Sequence, residues 1–192
     1  MSVDGTDFKI NHPSANTGIS LTSYYSYKIN HSGLRYEVAL NIQSGDIVWT
    51  SGPFPPGEWP DIRIFLSGLA HKLRPGEKVE ADQGYQGWAQ YIEDPNFMVP
   101  NNEHMATQKT NVRARHEMVN NRLKNFHCLK NAWRHHRDHH GIAFRCVAIV
   151  VQLSLESGNP LPRVTYQTRP LIEVLGDVSS DATVTDEDPE SE

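Results

Sequence analysis

Cysteine is scarce in this 192-residue sequence, which contains only Cys128 and Cys146. Two cysteines cannot form a disulfide framework, and because neither belongs to a CxxC pair, they also argue against a structural zinc site. The sequence has no apolar run long enough to span a bilayer and no signal-peptide pattern at its N-terminus. We therefore expect an intracellular protein of a reducing compartment that has no membrane partner.

Positive charge is missing from one end of the chain. Residues 173–192 contain eight acids and neither Lys nor Arg, so residues 1–172 carry 15 acids against 18 bases, a net charge of +3. The excess is largest at residues 101–140, where eight Lys and Arg and seven His stand against three acids. A basic surface of this kind suits a polyanionic partner, although a solvated helix face explains it equally well. The acidic composition of residues 168–192 predicts a disordered tail.

The hydrophobic pattern predicts an α/β fold. Strands are predicted at residues 3–10, in a hairpin with arms at 34–42 and 47–51 and a turn at 43–46, and in segments ending at Asp82 and at 97–99. Helices are predicted from Pro60 to Leu73, at 108–129 and at 142–156, the last apolar nearly all round and therefore buried. The proline-rich residues 53–60 cannot lie inside a sheet. This order predicts a mixed sheet, its first three strands antiparallel, with helices on both faces.

Residues 78–85 are interpreted as a short strand that ends on a carboxylate. Apolar and acidic residues alternate in this stretch up to Asp82, as they do in a half-buried strand. Gly84 allows the positive φ of a sharp turn two residues later. The pattern therefore places Asp82 at the carboxyl end of a strand, where open α/β sheets bind their ligands.

Asp82 is a candidate site residue because two further acids are expected near it: Asp4 on the first strand and Glu117 on the long helix. In an RNase H-like sheet the first strand lies beside the fourth, and the helix after the fifth strand covers the same end, which would bring the three acids together. Carboxylates are the usual protein ligands of Mg²⁺, and two ions about 3.5–4 Å apart clamp the attacking and leaving oxygens of a phosphoryl transfer. Because three converging acids repel one another, we expect cations to complete the site, as two Mg²⁺ or Mn²⁺ ions.

Four motifs in a fixed order resemble a known family. They are Val3-Asp4-Gly5-Thr6, Pro56-Gly57-x-x-x-Asp61, Asp82-x-Gly84-Tyr85 and Arg115-x-Glu117-x-x-x-x-Arg122-Leu123-Lys124. As far as about Pro162 the chain resembles the DDE-superfamily endonuclease domain of Harbinger/PIF-type transposases. It departs from the family pattern at Ala81, where glycine is usual before the second aspartate, and at Trp59-Pro60 before Asp61.

The resemblance implies an RNase H-like DDE nuclease domain over residues 1–167. In this domain Asp4, Asp82 and Glu117 would be the catalytic triad that holds two divalent metal ions, DNA would be the partner, and the location would be the nucleus. Nothing in the chain resembles the helix-turn-helix region that normally precedes the domain. We therefore expect an N-terminally truncated domain whose target recognition is supplied by a separate DNA-binding protein.

Basic residues near Glu117 are candidate DNA contacts. Lys124 follows Glu117 by seven residues, about two helical turns, on the same helix face. Arg113 and Arg115 are further candidates for contacts with backbone phosphates. Asp61, by contrast, follows Pro60 at a predicted helix start, where an acid is favourable for structural reasons.

The histidine run at residues 135–140 allows two interpretations. His135 with His139, and His136 with His140, have the i,i+4 spacing with which a helix presents two zinc ligands. The same histidines in a solvated linker would instead add positive charge near phosphate, and this interpretation is the more plausible of the two.

Two alternatives to a nuclease stay open. A domesticated or decayed copy of the domain would keep the fold and act as a non-catalytic DNA- or protein-binding module. A phosphatase or another metal hydrolase would use the same acids on small phosphoesters, although the basic segment at residues 101–140 favours a polymeric substrate.

Overall fold

The fold is described from a computed structural model, which describes residues 1–13, 20–74, 79–82, 85 and 103–164, with side chains from residue 110 onward in the last range. Gly84, the predicted strand at 97–99 and the predicted tail at 168–192 lie outside these residues.

The sheet is built around one long strand, β3 (His31–Leu40). Its antiparallel neighbours are β1 (Ser2–Lys9) on one side, and β2 (Tyr25–Ser26) and β4 (Ile47–Phe54) on the other. On the far side of β1 the chain returns in parallel at Glu80, which bridges to Ser2. The prediction of a mixed α/β sheet with antiparallel first strands is therefore confirmed, and the arrangement is consistent with an RNase H-like fold.

Helices cover both faces of this sheet. They are α1 (Leu21–Tyr24), α2 (Asp61–Ser67) followed by a short 3₁₀ helix (Leu69–Lys72), α3 (Glu103–Lys124), α4 (His127–Lys130) and α5 (Asp138–Glu156). No helix in the described part of the chain is both long enough and apolar enough to cross a bilayer.

The alternation of side chains along β1 divides the interior into two cores, because successive residues point to opposite faces. Phe8 and Ile10 join the larger core, which α3, α4 and α5 complete with residues such as Leu123, Leu129 and Phe144. Val3 has the opposite parity and joins a smaller core under α2, together with Ile62, Phe65, Leu69, Val79 and Tyr85. The acids of β1 are therefore also divided: Asp4 is on the α3 side, and Asp7 is on the α2 side.

Three details differ from the sequence prediction. The single helix predicted at 108–129 is α3 followed by the separate α4, because the backbone is extended at Phe126 between them. Helix α5 is buried along one side only, since Ile142, Ile149, Val150 and Leu153 are 48–61% exposed on the other. Strand β4 continues through Pro53 to Phe54. Within the described residues β4 pairs with β3 alone, and a proline is tolerated in such an edge strand because the sheet does not need its missing N–H.

Candidate active site

A cavity of about 130 Å³ lies where the first strand, the Glu80 segment and helix α3 meet. Asp4, Asp82 and Glu117 all line it, although 113 residues separate the first from the last along the sequence. The other lining residues are Ser2, Val3, Glu80, Ala81, Val112, Arg113 and His116. The structure therefore brings the three predicted acids to one cavity.

Asp4 is partly buried and is oriented by uncharged hydrogen-bond donors. The Gly5 N–H donates to Asp4 Oδ1 at 2.8 Å, and Asn120 Nδ2 on α3 donates to Asp4 Oδ2 at 3.4 Å. The pKa of Asp4 is raised from 3.8 to about 6, mainly by burial and to a smaller extent by the charges of Asp82 and Asp61, whereas the charge of Lys28 opposes the rise. The cavity therefore holds negative charge at a cost that a bound cation would relieve.

Asp82 and Glu117 reach the cavity from different elements. Asp82 is partly buried two residues beyond Glu80, which is fixed by Val3 N–H donating to Glu80 O at 2.8 Å and by Glu80 N–H donating to Met1 O at 2.9 Å. Glu117 is exposed on α3. Its helix is fixed to the start of β1 by a 2.8 Å hydrogen bond between His116 Nε2 and Ser2 Oγ.

The sequence interpretation missed His116 and Asn120. Both are buried, and with Val112 they form an i,i+4 row on the inner side of α3. Burial lowers the pKa of His116 to about 4, so its imidazole is neutral at physiological pH. The sequence pattern could have identified them, because polar residues at the positions where a helix usually has apolar ones indicate a polar contact on its buried side.

The donor chemistry of the cavity suits a hard cation, but the three acids do not converge on one point. In the part of the chain that the structure describes, no three His, Cys, Asp or Glu residues lie close enough together to hold a metal ion. Mg²⁺ usually keeps several of its waters and takes only one or two carboxylates directly. A cavity of about 130 Å³ has room for such waters between an ion and the more distant acids.

The predicted DNA contacts have different environments. Arg113 is exposed and lines the cavity, and Lys124 Nζ lies 5.6 Å from the centre of the Phe8 ring. Arg115 differs from the expected solvent-facing side chain, since it is only 3% exposed. Its guanidinium donates to the carbonyls of Ile42 and Gln43 in the turn between β3 and β4. Arg115 therefore holds that turn against α3, and the proposed DNA contacts depend on Arg113 and Lys124.

The histidine run does not present the i,i+4 helical pairs that the zinc interpretation requires. Helix α5 begins at Asp138, so His135 and His136 precede it. His140 is fully buried, and the Tyr36 hydroxyl lies 2.7 Å from its Nδ1. The other three histidines are exposed, which agrees with solvated histidines better than with a paired zinc site.

A second polar cluster lies on the α2 side of the sheet. Arg35 pairs with Asp7 in a two-pronged salt bridge, with Nε to Oδ1 at 2.7 Å and NH2 to Oδ2 at 2.8 Å. Asp61, at the start of α2, is buried and lies 2.8 Å from Lys28 Nζ and 3.4 Å from Arg35 Nε. The helix-start interpretation of Asp61 is therefore incomplete, because this acid also takes part in a buried charge network.

Tyr85 ties the segment after Asp82 to the same cluster. Its ring is 1% exposed and packs edge-on against Phe65 at 6.1 Å, and its N–H donates to Asp82 O at 3.2 Å. Burial raises the pKa of Tyr85 well above 10, with Glu37 as the largest electrostatic contributor. Burial also raises the pKa of Glu37 to about 7, while a 2.9 Å hydrogen bond from Trp49 Nε1 opposes the rise.

Comparison with known proteins identifies a family but no individual relative. No curated protein and no solved structure matches the chain. The model of one family, described as DDE superfamily endonuclease, matches residues 3–154. This match begins just before Asp4, spans all three acids of the cavity and covers most of the chain. The chain therefore belongs to the DDE superfamily of endonucleases.

Proposed function

We propose that this protein cleaves DNA phosphodiester bonds by a transposase-like, divalent-metal-dependent phosphoryl transfer. The observation that carries the proposal is the meeting of Asp4, Asp82 and Glu117 around one cavity. Family membership supports DNA as the substrate, and the raised pKa of Asp4 supports a site that gains from a bound cation.

In this proposal the three acids hold two Mg²⁺ or Mn²⁺ ions. Metal bound there would activate the attacking water or 3′-hydroxyl and stabilise the leaving oxygen. Gly5 and Asn120 keep the Asp4 carboxylate turned towards the cavity. The bond from His116 to Ser2 holds α3, and with it Glu117, at a fixed distance from β1.

The basic side chains would position the DNA. Arg113, which lines the cavity, and Lys124, further along α3, would contact backbone phosphates, which orient a duplex without reading its sequence. The Harbinger/PIF-type relationship, a nuclear location and target recognition by a separate DNA-binding protein complete the proposal. They are carried by the motif resemblance alone.

Nicking of supercoiled plasmid by the purified chain tests this function. Wild type should convert supercoiled to open-circular DNA in Mg²⁺ or Mn²⁺ and not in EDTA, and Asp82→Asn should be inactive. Asp138→Asn is the matched control, because Asp138 is an exposed acid with 84% of its side chain accessible. Equal nicking by wild type and Asp82→Asn would remove the catalytic assignment.

Two other outcomes would indicate a different function. Salt-dependent DNA binding without cleavage, in every divalent metal tried, would favour the non-catalytic binding module. Metal-dependent hydrolysis of a small phosphoester without nicking would favour a phosphatase.

A further inference from the structure

In the part of the chain that the structure describes, the edge of β1 beside Asp4 pairs with other backbone at two places. Around Glu80 the pairing runs through Met1 O and Val3 N–H, and further along the same edge Lys9 O accepts from Trp133 N–H. Gly5 lies between these two places, and by strand alternation its N–H and C=O point to the same side of β1 as those of Val3.

Side chains take the place of a strand at this point. The Gly5 N–H donates to Asp4 Oδ1 at 2.8 Å, and the Gly5 carbonyl accepts from Lys28 Nζ at 2.9 Å. The same ammonium donates to Asp61 Oδ2 at 2.8 Å. Lys28 is thus held by the buried Asp61 while it donates to the carbonyl of Gly5, the residue whose N–H binds the Asp4 carboxylate.

Glycine is required at this position because Asp61 lies directly against its Cα. A Cβ on residue 5 would come within 2.0 Å of Asp61 Oδ1 and 2.6 Å of Asp61 Cγ. Asp61 cannot easily move aside, since it is 6% exposed and contacts both Lys28 and Arg35. The close approach therefore explains why Asp4-Gly5 and the distant Asp61 occur together in this sequence.

We infer that Lys28 and Asp61 are positioning residues. Lys28 fixes the Gly5 backbone by binding its carbonyl, and the Gly5 N–H thereby holds the Asp4 carboxylate towards the cavity. This inference rests on the proposed function, because positioning matters only if Asp4 binds metal. Charge balance explains the ion pair between Lys28 and Asp61, because Arg35 already pairs with Asp7, but it does not require a contact with Gly5. What Lys28 adds is the hydrogen bond to Gly5.

A positioning role and a purely electrostatic role predict opposite effects on metal binding. The positive charge of Lys28 lies close enough to lower the pKa of Asp4, so its removal alone should tighten the binding of a cation. Loss of positioning should weaken the binding instead. Replacing an outer residue that orients a metal ligand typically costs about 10- to 100-fold in affinity.

The test uses the full chain with Lys28→Met, Lys28→Arg and a control, Arg63→Met. Arg63 is an exposed cation of α2 whose guanidinium lies 4.4 Å from the centre of the Trp59 ring and donates to Glu58 O. Mn²⁺ affinity, measured by electron paramagnetic resonance, should fall about tenfold in Lys28→Met. Lys28→Arg should restore most of it, and Arg63→Met should match wild type.

A second measurement, hydrogen exchange of the Gly5 amide in metal-free protein, does not depend on the proposed function. Exchange should be about tenfold faster in Lys28→Met than in wild type, because the hydrogen bond to the Gly5 carbonyl is lost. A tenfold change corresponds to about 1.4 kcal/mol of local stability. If the methionine variant does not fold, both measurements are made on Lys28→Gln instead.

Each outcome decides the inference. Unchanged exchange at Gly5, or Mn²⁺ affinity in Lys28→Met equal to or tighter than wild type, overturns it. If wild type binds no Mn²⁺ and does not nick DNA, the proposed function fails and the metal-positioning claim fails with it. The exchange rates then still report whether Lys28 holds the Gly5 peptide.

Discussion

Asp4 and Asp61 lie close to the same glycine but in opposite surroundings. Asp61, on the α2 side, has two cations within 3.4 Å. Asp4, on the α3 side, accepts hydrogen bonds from a backbone N–H and an amide. The pKa of Asp4 is raised to about 6, mainly by burial; the nearby charge of Lys28 lowers it, while Asp82 and Asp61 add to the rise.

This difference separates a structural acid from a functional one. A buried carboxylate that the chain pairs with its own cations contributes to the fold, and removing one member of such a pair is strongly destabilising. A carboxylate that is partly buried beside other acids destabilises the fold slightly, and it can bind a cation from solution that offsets this repulsion. The predictions below test this division, beginning with the largest expected effect.

Asp4→Asn should abolish nicking while the protein stays folded. Metal ligation is worth several kcal/mol in the transition state, so we expect a loss on the order of 10³-fold or more in rate. Urea unfolding at pH 7 should show an unchanged or higher free energy of unfolding. A large loss of stability with residual activity would place Asp4 in the same class as Asp61.

Gly5→Ala should be the most destabilising change near the cavity. The added methyl group collides with Asp61, and overpacking together with a disturbed buried ion pair should lower the free energy of unfolding by about 3 kcal/mol. The control is the same substitution in an Asp61→Ala background, where the collision is gone. If Gly5→Ala costs as much there as in wild type, the contact with Asp61 is not the cause.

The pH dependence of stability should change in Asp4→Asn. Because the folded-state pKa is raised from 3.8 to about 6, the native state binds this proton more tightly than the unfolded state, and Asp4 makes stability fall as pH rises through that window. The buried His116, whose lowered pKa acts in the opposite sense, is present in both proteins and cancels in the comparison.

The free energy of unfolding of Asp4→Asn relative to wild type should therefore increase by about 2 kcal/mol between pH 4 and pH 7 in metal-free buffer. Denaturant titrations at the two pH values measure this difference. A difference for Asp4→Asn that stays constant across the window would contradict the raised pKa.

Arg113→Met should give the smallest effect and act on DNA binding alone. Loss of one phosphate contact should weaken binding a few-fold and reduce the slope of log affinity against log salt by about 1. Fluorescence anisotropy over a salt series measures both quantities, with Arg63→Met on the opposite side of the sheet as the control. An unchanged slope would remove Arg113 from the interface.

The sequence was sufficient for the antiparallel strands and for a shared cavity of Asp4, Asp82 and Glu117, but not for the distances between these acids. The sequence pattern predicts strands at residues 3–10 and 34–42, close to the observed β1 and β3, and chain order within an RNase H-like sheet puts Asp4 and Asp82 on neighbouring segments. Helical spacing then adds Glu117. These inferences succeed because strand and helix periodicity determine which side of an element each residue occupies.

The Lys28–Asp61 contact could not be predicted in the same way. The two residues are 33 positions apart, and no periodicity connects a loop lysine to the first residue of a distant helix. Arg115 shows the same limit, because a long side chain can turn its charged end to solvent or to buried carbonyls without a change in the sequence pattern. The exposed side of α5 was also missed, since an apolar composition does not specify how much of a helix the fold covers.

The most direct test of the central claim is the position of Mn²⁺ in crystals of the wild-type protein, located by anomalous diffraction. The account predicts density in the cavity bordered by Asp4, Asp82 and Glu117, and its loss in crystals of Asp4→Asn. Mn²⁺ bound only elsewhere, or in the cavity of both proteins alike, would contradict it.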